Sequence, residues 1–217
     1  MTCALCEIRR PRRYCLGVRG QICAPCCGVE REVTVNCPFE CEYLQQARLH
    51  ERMPDLKEQD LPNRDIEVTE SFIQEHEALA SLSSRFLLEA SVAVPGVSDA
   101  DVREALETLI RTFRTLESGI YYESRPNNPL AAAVHQGFQA RLSQARQEMA
   151  RQSGVNTIRD TAILGVLALL QRMALNFVNG RSHGRAYLHF LHDRFSDQPV
   201  PVDALPPAAG GSSLIVP

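Results

Sequence analysis

Eight cysteines lie between residues 3 and 41, and their spacing predicts a metal-binding segment. Cysteines separated by two or three residues let two thiolates reach one tetrahedral zinc ion, each at about 2.3 Å. Eight thiols suit two Zn²⁺ ions that are held by four cysteines each. We therefore predict two structural zinc sites, built from Cys3, Cys6, Cys15, Cys23, Cys26, Cys27, Cys37 and Cys41.

Disulfide bonds are the other common use of clustered cysteines. The sequence begins with neither the charged leader nor the apolar stretch of a secretory signal, so we expect a cytoplasmic location. Thiols stay reduced in that compartment, which favours zinc over disulfides. The longest apolar run, residues 162–170, is far shorter than the roughly 20 residues that cross a bilayer, so we expect no membrane contact.

Two assignments of the eight thiols to two ions fit the spacing. In the interleaved assignment the adjacent Cys26 and Cys27 bind different ions, because neighbouring side chains point apart. The first ion then takes Cys3, Cys6, Cys23 and Cys26, and the second takes Cys15, Cys27, Cys37 and Cys41. In the sequential assignment the first ion takes Cys3, Cys6, Cys15 and Cys23. Spacing alone leaves both open.

The cysteines define a zinc-binding module at residues 1–50. A segment of this size buries too little apolar surface to fold alone, so the metal is expected to supply folding free energy. Within the module, residues 33–35 have the composition of a short strand, and Gly17, Gly20 and Gly28 are expected at positive φ. Catalytic zinc keeps an open coordination position, and four thiols per ion leave none. We therefore predict structural metal and no enzymatic activity.

The cysteine rhythm of the module resembles the cross-brace zinc folds of the MYND, HIT-type and B-box fingers. The strings ICAPCCG (residues 22–28) and CPFECEYL (residues 37–44) are also similar to an N-terminal module of uncharacterised bacterial proteins with a helical body. The resemblance covers residues 3–50. Because such fingers mostly bind proteins, the resemblance implies a protein partner.

Nucleic acid is the alternative partner, because arginine supplies 22 of the 23 basic residues. The arginine guanidinium can donate two hydrogen bonds to one phosphate group. The RRPRR string and the basic stretch 141–195 are therefore candidate phosphate contacts. Two zinc ions with four thiolates each would bring the module to a net charge of about −2, which argues against a broad phosphate-binding surface. The arginines of the string are alternatively donors to zinc-bound thiolates. They are Arg9, Arg10, Arg12 and Arg13.

Beyond a linker at residues 51–65, the apolar spacing of residues 66–195 is helical, and no strand pattern appears. This pattern predicts an all-α bundle of four to five helices. The first helix is predicted to run unbroken to Pro95-Gly96. Its apolar stripe consists of Phe72, His76, Leu79, Phe86 and Ala90.

Sequence signals also predict where the later helices begin and end. Ser98 with Asp101 forms a capping box, and Gly119 ends the helix that follows it. The pair Asn128-Pro129 begins the next helix. A buried central helix is expected to start with a Thr157–Asp160 cap and to end at Gly180, and a last helix spans about 182–195.

Two further segments carry functional hypotheses. The polar and aromatic loop 121–129 could bind a small ligand or simply pack, and its candidate residues are Tyr121, Tyr122, Glu123 and Arg125. Residues 196–217, rich in Pro, Ala, Gly and Ser, predict a disordered tail. Its apolar residues could dock on the bundle or add a strand to a partner's sheet. They are Leu214, Ile215 and Val216.

These features together predict a mainly α protein with a small two-zinc module, a helical bundle and a disordered tail. The function we expect is that of a non-enzymatic adaptor or regulatory protein that binds another protein. Nucleic-acid binding through the RRPRR string is the alternative, and an enzyme that uses the loop 121–129 is a third. The sequence identifies neither the partner nor the oligomeric state.

Overall fold

A computed structural model describes residues 2–52, 54–120, 122–153 and 158–195. Within these ranges the protein is mainly α-helical, with a small cysteine-containing segment ahead of a helical bundle. No helix in the described ranges is long and apolar enough to span a membrane. The predicted tail, including Leu214, Ile215 and Val216, lies outside the described residues.

The N-terminal segment consists of a β-hairpin and two short helices. Strands β1 and β2 pair antiparallel, with Tyr14 opposite Gln21. A small core separate from that of the bundle contains Ile22 and Leu44 together with cysteines. The elements are β1 (Arg13–Cys15), β2 (Gly20–Ile22), α1 (Ala24–Glu30) and α2 (Glu42–Arg48).

Six helices form the bundle, and five of them share one core. Helices α4 and α5 lie at the centre, because each of them packs on α6, α7 and α8, with α8 mainly on α4. The helix predicted to be central, α7, is largely buried and packs on α5 and, less extensively, on α4. The bundle helices are α3 (Glu70–Glu75), α4 (Glu77–Val92), α5 (Asp99–Glu117), α6 (Pro129–Ser153), α7 (Asp160–Leu175) and α8 (Ala186–Phe195).

Several predicted helix boundaries are confirmed. The Asp101 carboxylate accepts the backbone N–H of Ser98 at 2.7 Å, which is one half of the predicted capping box. Helix α5 ends at Glu117, and Gly119, the predicted end, follows two residues later with a positive φ of +75°. Asn128 caps α6, since its side-chain oxygen accepts the Leu130 N–H at 2.8 Å. Local hydrogen-bonding chemistry therefore determined these ends.

Other boundary predictions are wrong. The first helix is interrupted at His76, whose φ of −110° separates α3 from α4 and whose ring stacks on Phe72 at 4.3 Å. Helix α7 starts at Asp160, and its N-cap residue is Arg159. The predicted N-cap at Thr157, three residues before Asp160, is therefore wrong. Thr157 itself lies outside the described residues. The same helix ends at Leu175, five residues before Gly180, and α8 begins only at Ala186.

The backbone of the N-terminal segment also differs from expectation. Residues 33–35 form a turn, in which Val35 makes one isolated bridge with Arg31, because the N–H groups of this turn bond to the Glu30 carbonyl. The positive φ values fall on non-glycine residues and not on the three glycines of the segment. These residues are Glu7, Arg19 and Glu32.

Residues 51–65, predicted as a linker, lie partly against the bundle. They contain a 3₁₀ turn, Glu58–Asp60. Farther on, the Asn63 side chain donates to Gln171 at 2.7 Å and accepts from Arg114 at 2.9 Å. Arg172 donates to the Asn63 carbonyl at 2.8 Å. The chain is therefore fixed to α5 and α7 before the first bundle helix begins.

Truncating a central side chain of α7 tests this packing. Leu167 is fully buried in the bundle core. We expect Leu167→Ala to lower the free energy of unfolding by about 2–5 kcal/mol, because the change leaves a cavity. Urea denaturation monitored by circular dichroism measures the loss. The same truncation at the exposed Ile120 should cost less than about 0.5 kcal/mol, and equal losses at both positions would contradict the packing.

Candidate metal centre

Four cysteines meet at one point of the N-terminal segment. The sulfur atoms of Cys3, Cys6, Cys23 and Cys26 all lie within 4.8 Å of one another. The Sγ atoms of Cys6 and Cys23 are 4.0 Å apart. Four sulfurs at about 2.3 Å from a tetrahedral zinc ion are separated by about 3.8 Å, so the observed spacing fits one metal ion. This cluster is called the first site below.

Local structure brings the four thiols together. The Cys3–Cys6 loop closes through a 2.8 Å hydrogen bond from the Glu7 N–H to the Cys3 carbonyl. Cys23 is the N-cap residue of α1, and Cys26 lies in its first turn. The backbone N–H of Cys23 donates to the Cys3 sulfur at 3.2 Å, which joins the loop to the helix.

The thiols of the first site differ in how readily they ionise. Burial raises the pKa of Cys3, but backbone N–H groups of Cys6, Cys23 and Leu5 lower it more, to about 6. In contrast, the hydrogen bond with Cys23, followed by burial, raises the pKa of Cys26 to about 12. Four thiolates this close repel one another, so all four ionise only when a cation offsets their charge.

The other four cysteines line one small cavity. Cys15, Cys27, Cys37 and Cys41 surround a space of about 20 Å³ beneath the hairpin. Burial raises the pKa of Cys37, and the charges of Cys41 and Cys15 add to the effect, so these thiols lie close enough to interact. Within the described ranges, no three of them have sulfur atoms within 4.8 Å of one another. This group is called the second cluster.

The adjacent cysteines Cys26 and Cys27 belong to different groups. Both lie on α1, where successive side chains are rotated by about 100°. Cys26 therefore turns toward the first site, and Cys27 turns toward the second cluster. The sequential assignment, which places Cys15 with Cys3, Cys6 and Cys23, does not fit this grouping. All eight cysteines are free thiols with no disulfide between them.

The RRPRR arginines divide into two kinds. The Arg9 guanidinium lies beside Cys23 and Cys6, which raise its pKa. The Arg13 guanidinium donates to the Cys27 sulfur at 3.5 Å, and Arg31 donates to the same sulfur at 3.8 Å. The side chains of Arg10 and Arg12 are exposed and contact no partner in the described part of the chain. Only two arginines of the string are therefore free to meet an external phosphate.

A buried glutamate that sequence reasoning missed joins the N-terminal segment to the bundle. Glu32 is fully buried, and its carboxylate accepts from Arg48 at 2.6 Å. The same carboxylate accepts the Arg185 backbone N–H at 2.9 Å and the Asn179 side chain at 3.1 Å. Its backbone carbonyl accepts from His183 at 2.8 Å. Nothing in the sequence pattern distinguishes Glu32 from the half-buried Glu30 two residues earlier.

An aromatic residue inside the last cysteine pair makes the second attachment to the bundle. Phe39 lies between Cys37 and Cys41, and the Arg185 guanidinium covers its ring at 4.1 Å. The Phe39 ring also stacks on the His192 ring, with 5.0 Å between the ring centroids, and it packs edge-to-face with the His189 ring at 5.7 Å. The sequence did contain a signal for this contact, because Phe39 is a large aromatic residue between two cysteines and its ring needs a surface to pack against.

The predicted ligand loop forms local contacts. Glu123 and Arg125 pair with each other at 3.1 Å. The Tyr122 ring is exposed, while its carbonyl accepts from Thr115 at 2.9 Å. Glu104 accepts the backbone N–H of Asn127 at 2.9 Å. Tyr121 lies outside the described residues. These contacts hold the loop on α5. Burial lowers the pKa of His135 in α6, and the charges of Glu123 and Arg125 also act on this histidine, in opposite directions.

A buried aspartate fixes the start of α8 and should titrate near neutrality. The Asp99 carboxylate accepts the N–H groups of Tyr187 and Leu188 at 2.9 and 3.0 Å. Burial raises its pKa to about 6 against the opposing effect of these two bonds.

Because the folded pKa lies above the unfolded value of 3.8, the stability from this group is complete below pH 3.8 and is lost as pH rises through about 6. We expect the Asp99 carboxyl carbon to titrate near pH 6 by NMR. A midpoint below 4.5 would contradict the burial argument.

Comparison with known proteins adds no family. The chain matches no protein-family model, no curated protein and no solved structure. The resemblance of its cysteine rhythm to cross-brace fingers therefore stays a prediction, and any function has to be inferred from the geometry of the two cysteine groups and of the surfaces around them.

Proposed function

We propose that this protein is a non-enzymatic adaptor of a reducing, cytoplasmic compartment, in which structural zinc holds a recognition surface for another protein. The observation that carries the proposal is the distribution of exposed apolar side chains. Among described residues, eight of the 13 large exposed hydrophobic side chains lie in the first 50 residues. Ile8 is 85% exposed and Val29 is 68% exposed. Apolar exposure concentrated on a rigid, metal-held surface is typical of a protein-binding site.

Zinc at the first site follows from the ligand set. Four thiolates with tetrahedral spacing favour Zn²⁺ over oxygen-preferring ions such as Mg²⁺ or Ca²⁺. Arg9 beside Cys23 would offset part of the negative charge of the four-thiolate centre. We assign a structural role to this ion, because four protein thiolates leave no coordination position for a substrate.

A second zinc ion in the second cluster completes the proposal. Its support is the shared cavity of Cys15, Cys27, Cys37 and Cys41, and the two guanidinium groups of Arg13 and Arg31 that face Cys27. Two positive groups beside one sulfur would offset part of the negative charge of a four-thiolate metal centre. Metal binding would draw the four sulfurs closer together than they now lie.

Nucleic-acid binding is less well supported. Arg9 and Arg13 lie against cysteines, which leaves only Arg10 and Arg12 for phosphate. The exposed apolar side chains of Ile8 and Tyr14 lie near these arginines in the sequence, whereas a nucleic-acid surface is strongly basic. The alternative predicts an affinity that falls steeply with salt, while an apolar protein contact is much less sensitive to salt.

Site-specific cross-linking tests the proposed surface. A photo-reactive phenylalanine analogue at Ile8 in the full chain should capture a protein in cells, and the same analogue at the exposed Ile120 should not. The captured protein is identified by mass spectrometry, purified and bound to the full chain in solution. We expect Ile8→Ser with Val29→Ser to weaken that complex at least tenfold, with little change between 50 and 200 mM salt.

The outcome has clear alternatives. Equal affinity of the double variant and the unmodified protein would show that Ile8 and Val29 are not part of the binding surface. An affinity that falls more than a hundredfold over the same salt range, with RNA or DNA as the captured species, would favour the nucleic-acid alternative. Arg10→Gln with Arg12→Gln should then reduce binding, whereas the adaptor proposal expects that change to have little effect.

A further inference from the structure

We infer that residues 196–217 bind back into a cleft between α2 and α8, and so cover an interaction surface within the same chain. The inference goes beyond the proposed adaptor function and does not depend on which metal the cysteines hold. Four observations carry it: the size of the cleft, its charges, its apolar wall, and the point at which the chain leaves α8.

The cleft lies where the N-terminal segment meets the bundle. Its volume is about 720 Å³, which falls within the range of ligand-sized pockets. One wall is formed by α2 and the residues just after it, including Arg48 and Arg52. The opposite wall is formed by residues 176–181 and by α8. The cleft is therefore open along the junction that Glu32 and Phe39 hold together.

Arginines outnumber carboxylates on the lining of the cleft. Arg48 is neutralised by Glu32 at 2.6 Å and by Glu51 at 3.1 Å. Arg181 donates to the Arg31 carbonyl but pairs with no carboxylate in the described residues. Arg52 is exposed, with no partner in the same ranges. Within the described residues, Arg52 and Arg181 therefore have no acidic partner, and the carboxylate of Asp193, which also lines the cleft, contacts His189 and His192 instead.

An apolar strip lies beside these arginines. Phe177 and Phe190 stack on each other at 4.9 Å, and both line the cleft. Leu49 on the facing wall is 75% exposed, and Val178 is 38% exposed. Exposed apolar side chains on both walls of one cleft leave water against hydrophobic surface that an apolar segment would cover.

Residues 196–217 have the matching chemistry. They contain two acidic residues, Asp197 and Asp203, and no basic residue, and they carry the apolar run Leu214–Val216. The segment therefore offers two carboxylates to the guanidinium groups of Arg52 and Arg181. It also offers one apolar run to the apolar strip of the cleft.

The segment also starts at the rim of the cleft. Asp193 lines the cleft, and α8 ends two residues later at Phe195. Nineteen residues separate Phe195 from Leu214, which is enough chain to reach any part of a cleft whose rim lies at α8. The apolar run is thus held near the cleft at an effective concentration on the order of millimolar, so even a weak contact would be occupied.

The test compares the full chain with a full-length tail variant, Leu214→Ser, Ile215→Ser and Val216→Ser. In ¹⁵N NMR spectra we expect the variant to shift the amide signals of Leu49, Phe177 and Phe190, whereas Ala208→Ser with Ala209→Ser leaves them unchanged. A synthetic peptide of residues 196–217 should bind the tail variant at least tenfold more tightly than it binds the unmodified chain, because the native segment competes. Adding Arg52→Glu to the tail variant should weaken this binding, and Arg64→Glu, at an exposed arginine outside the cleft, should not.

Each outcome decides the inference. Peptide binding to the tail variant, sensitive to Arg52→Glu and not to Arg64→Glu, supports it. Equal peptide affinity for the two chains, no binding at all, or signal shifts confined to residues outside the cleft would each overturn it. Because cross-linking at Ile8 reports a different surface, failure here leaves the proposed adaptor function standing, and failure there leaves this inference standing.

Discussion

Replacing Cys23 with serine should release the metal of the first site and unfold the N-terminal segment. Cys23 is 2% exposed and its sulfur lies 4.0 Å from that of Cys6, so a hydroxyl there removes one ligand from the first site. Structural zinc in small domains contributes about 10–16 kcal/mol, far more than the small core around Ile22 and Leu44 can replace. We expect loss of one metal per chain and a loss of several kcal/mol in the stability of residues 2–50.

Hydrogen exchange by mass spectrometry measures this result. Amide protection in the hairpin, residues 13–22, should fall by at least a hundredfold, while the α7 core keeps its protection because it belongs to a separate cluster. Thr2→Ser, at an exposed position beside Cys3, serves as the control and should retain the metal. A Cys23→Ser protein with unchanged metal content and unchanged hairpin protection would show that the first site does not stabilise the segment.

Removing the Glu32 carboxylate should detach the N-terminal segment from the bundle. Glu32→Ala leaves the Arg48 guanidinium without its 2.6 Å partner and removes the acceptor for Arg185 and Asn179. Breaking one side of a buried ion pair costs about 3–5 kcal/mol, because the remaining charge stays desolvated. We expect this loss in the free energy of unfolding, together with faster exchange of residues 30–35 and 179–185.

The matched control for this change lies in the same turn. Among the described residues, the Glu30 carboxylate accepts only from the exposed Thr34 hydroxyl at 2.6 Å, so Glu30→Ala should cost less than about 1 kcal/mol. A double-mutant cycle with Arg48→Met isolates the coupling between the two charges. Equal losses for Glu30→Ala and Glu32→Ala, or no coupling with Arg48, would contradict the role of Glu32 as the joint between the two parts.

The two predictions concern one connected piece of chain. Cys37, Phe39 and Cys41 follow one another within a single loop, and Cys41 is the N-cap residue of α2. A metal bound to the second cluster would therefore restrain the loop that carries Phe39 onto Arg185 and His192. Metal binding and attachment to the bundle are thus expected to be coupled, although their ligands and contacts are different residues.

Local signals in the sequence were enough to predict much of the helical architecture. The capping box at Ser98 and the glycine at 119 predicted helix ends because short-range hydrogen bonds and a positive φ decide such ends. The group of Cys26 with Cys3, Cys6 and Cys23 agrees with the interleaved assignment, one of the two that the sequence left open. Helices α4 to α8 were predicted from apolar periodicity, which reports burial against neighbours without identifying them.

Contacts between particular groups, near and far along the chain, explain what was not predicted. Glu32 is buried because Arg48, Asn179 and Arg185 converge on it, and three partners up to 153 residues away leave no trace in the local pattern. The break at His76 depends on a ring stack with Phe72 that no propensity scale includes. The turn at residues 33–35 replaces a β-prone run because the backbone bonds to Glu30.

Metal content is the most direct test of two structural ions in this protein. Elemental analysis and native mass spectrometry of the reduced full chain should give two zinc ions per chain. Cys26→Ser and Cys27→Ser should each give one, since the two neighbours serve different groups of thiols. A wild-type content of one ion or none, or the loss of both ions in only one of these variants, would contradict two independent sites.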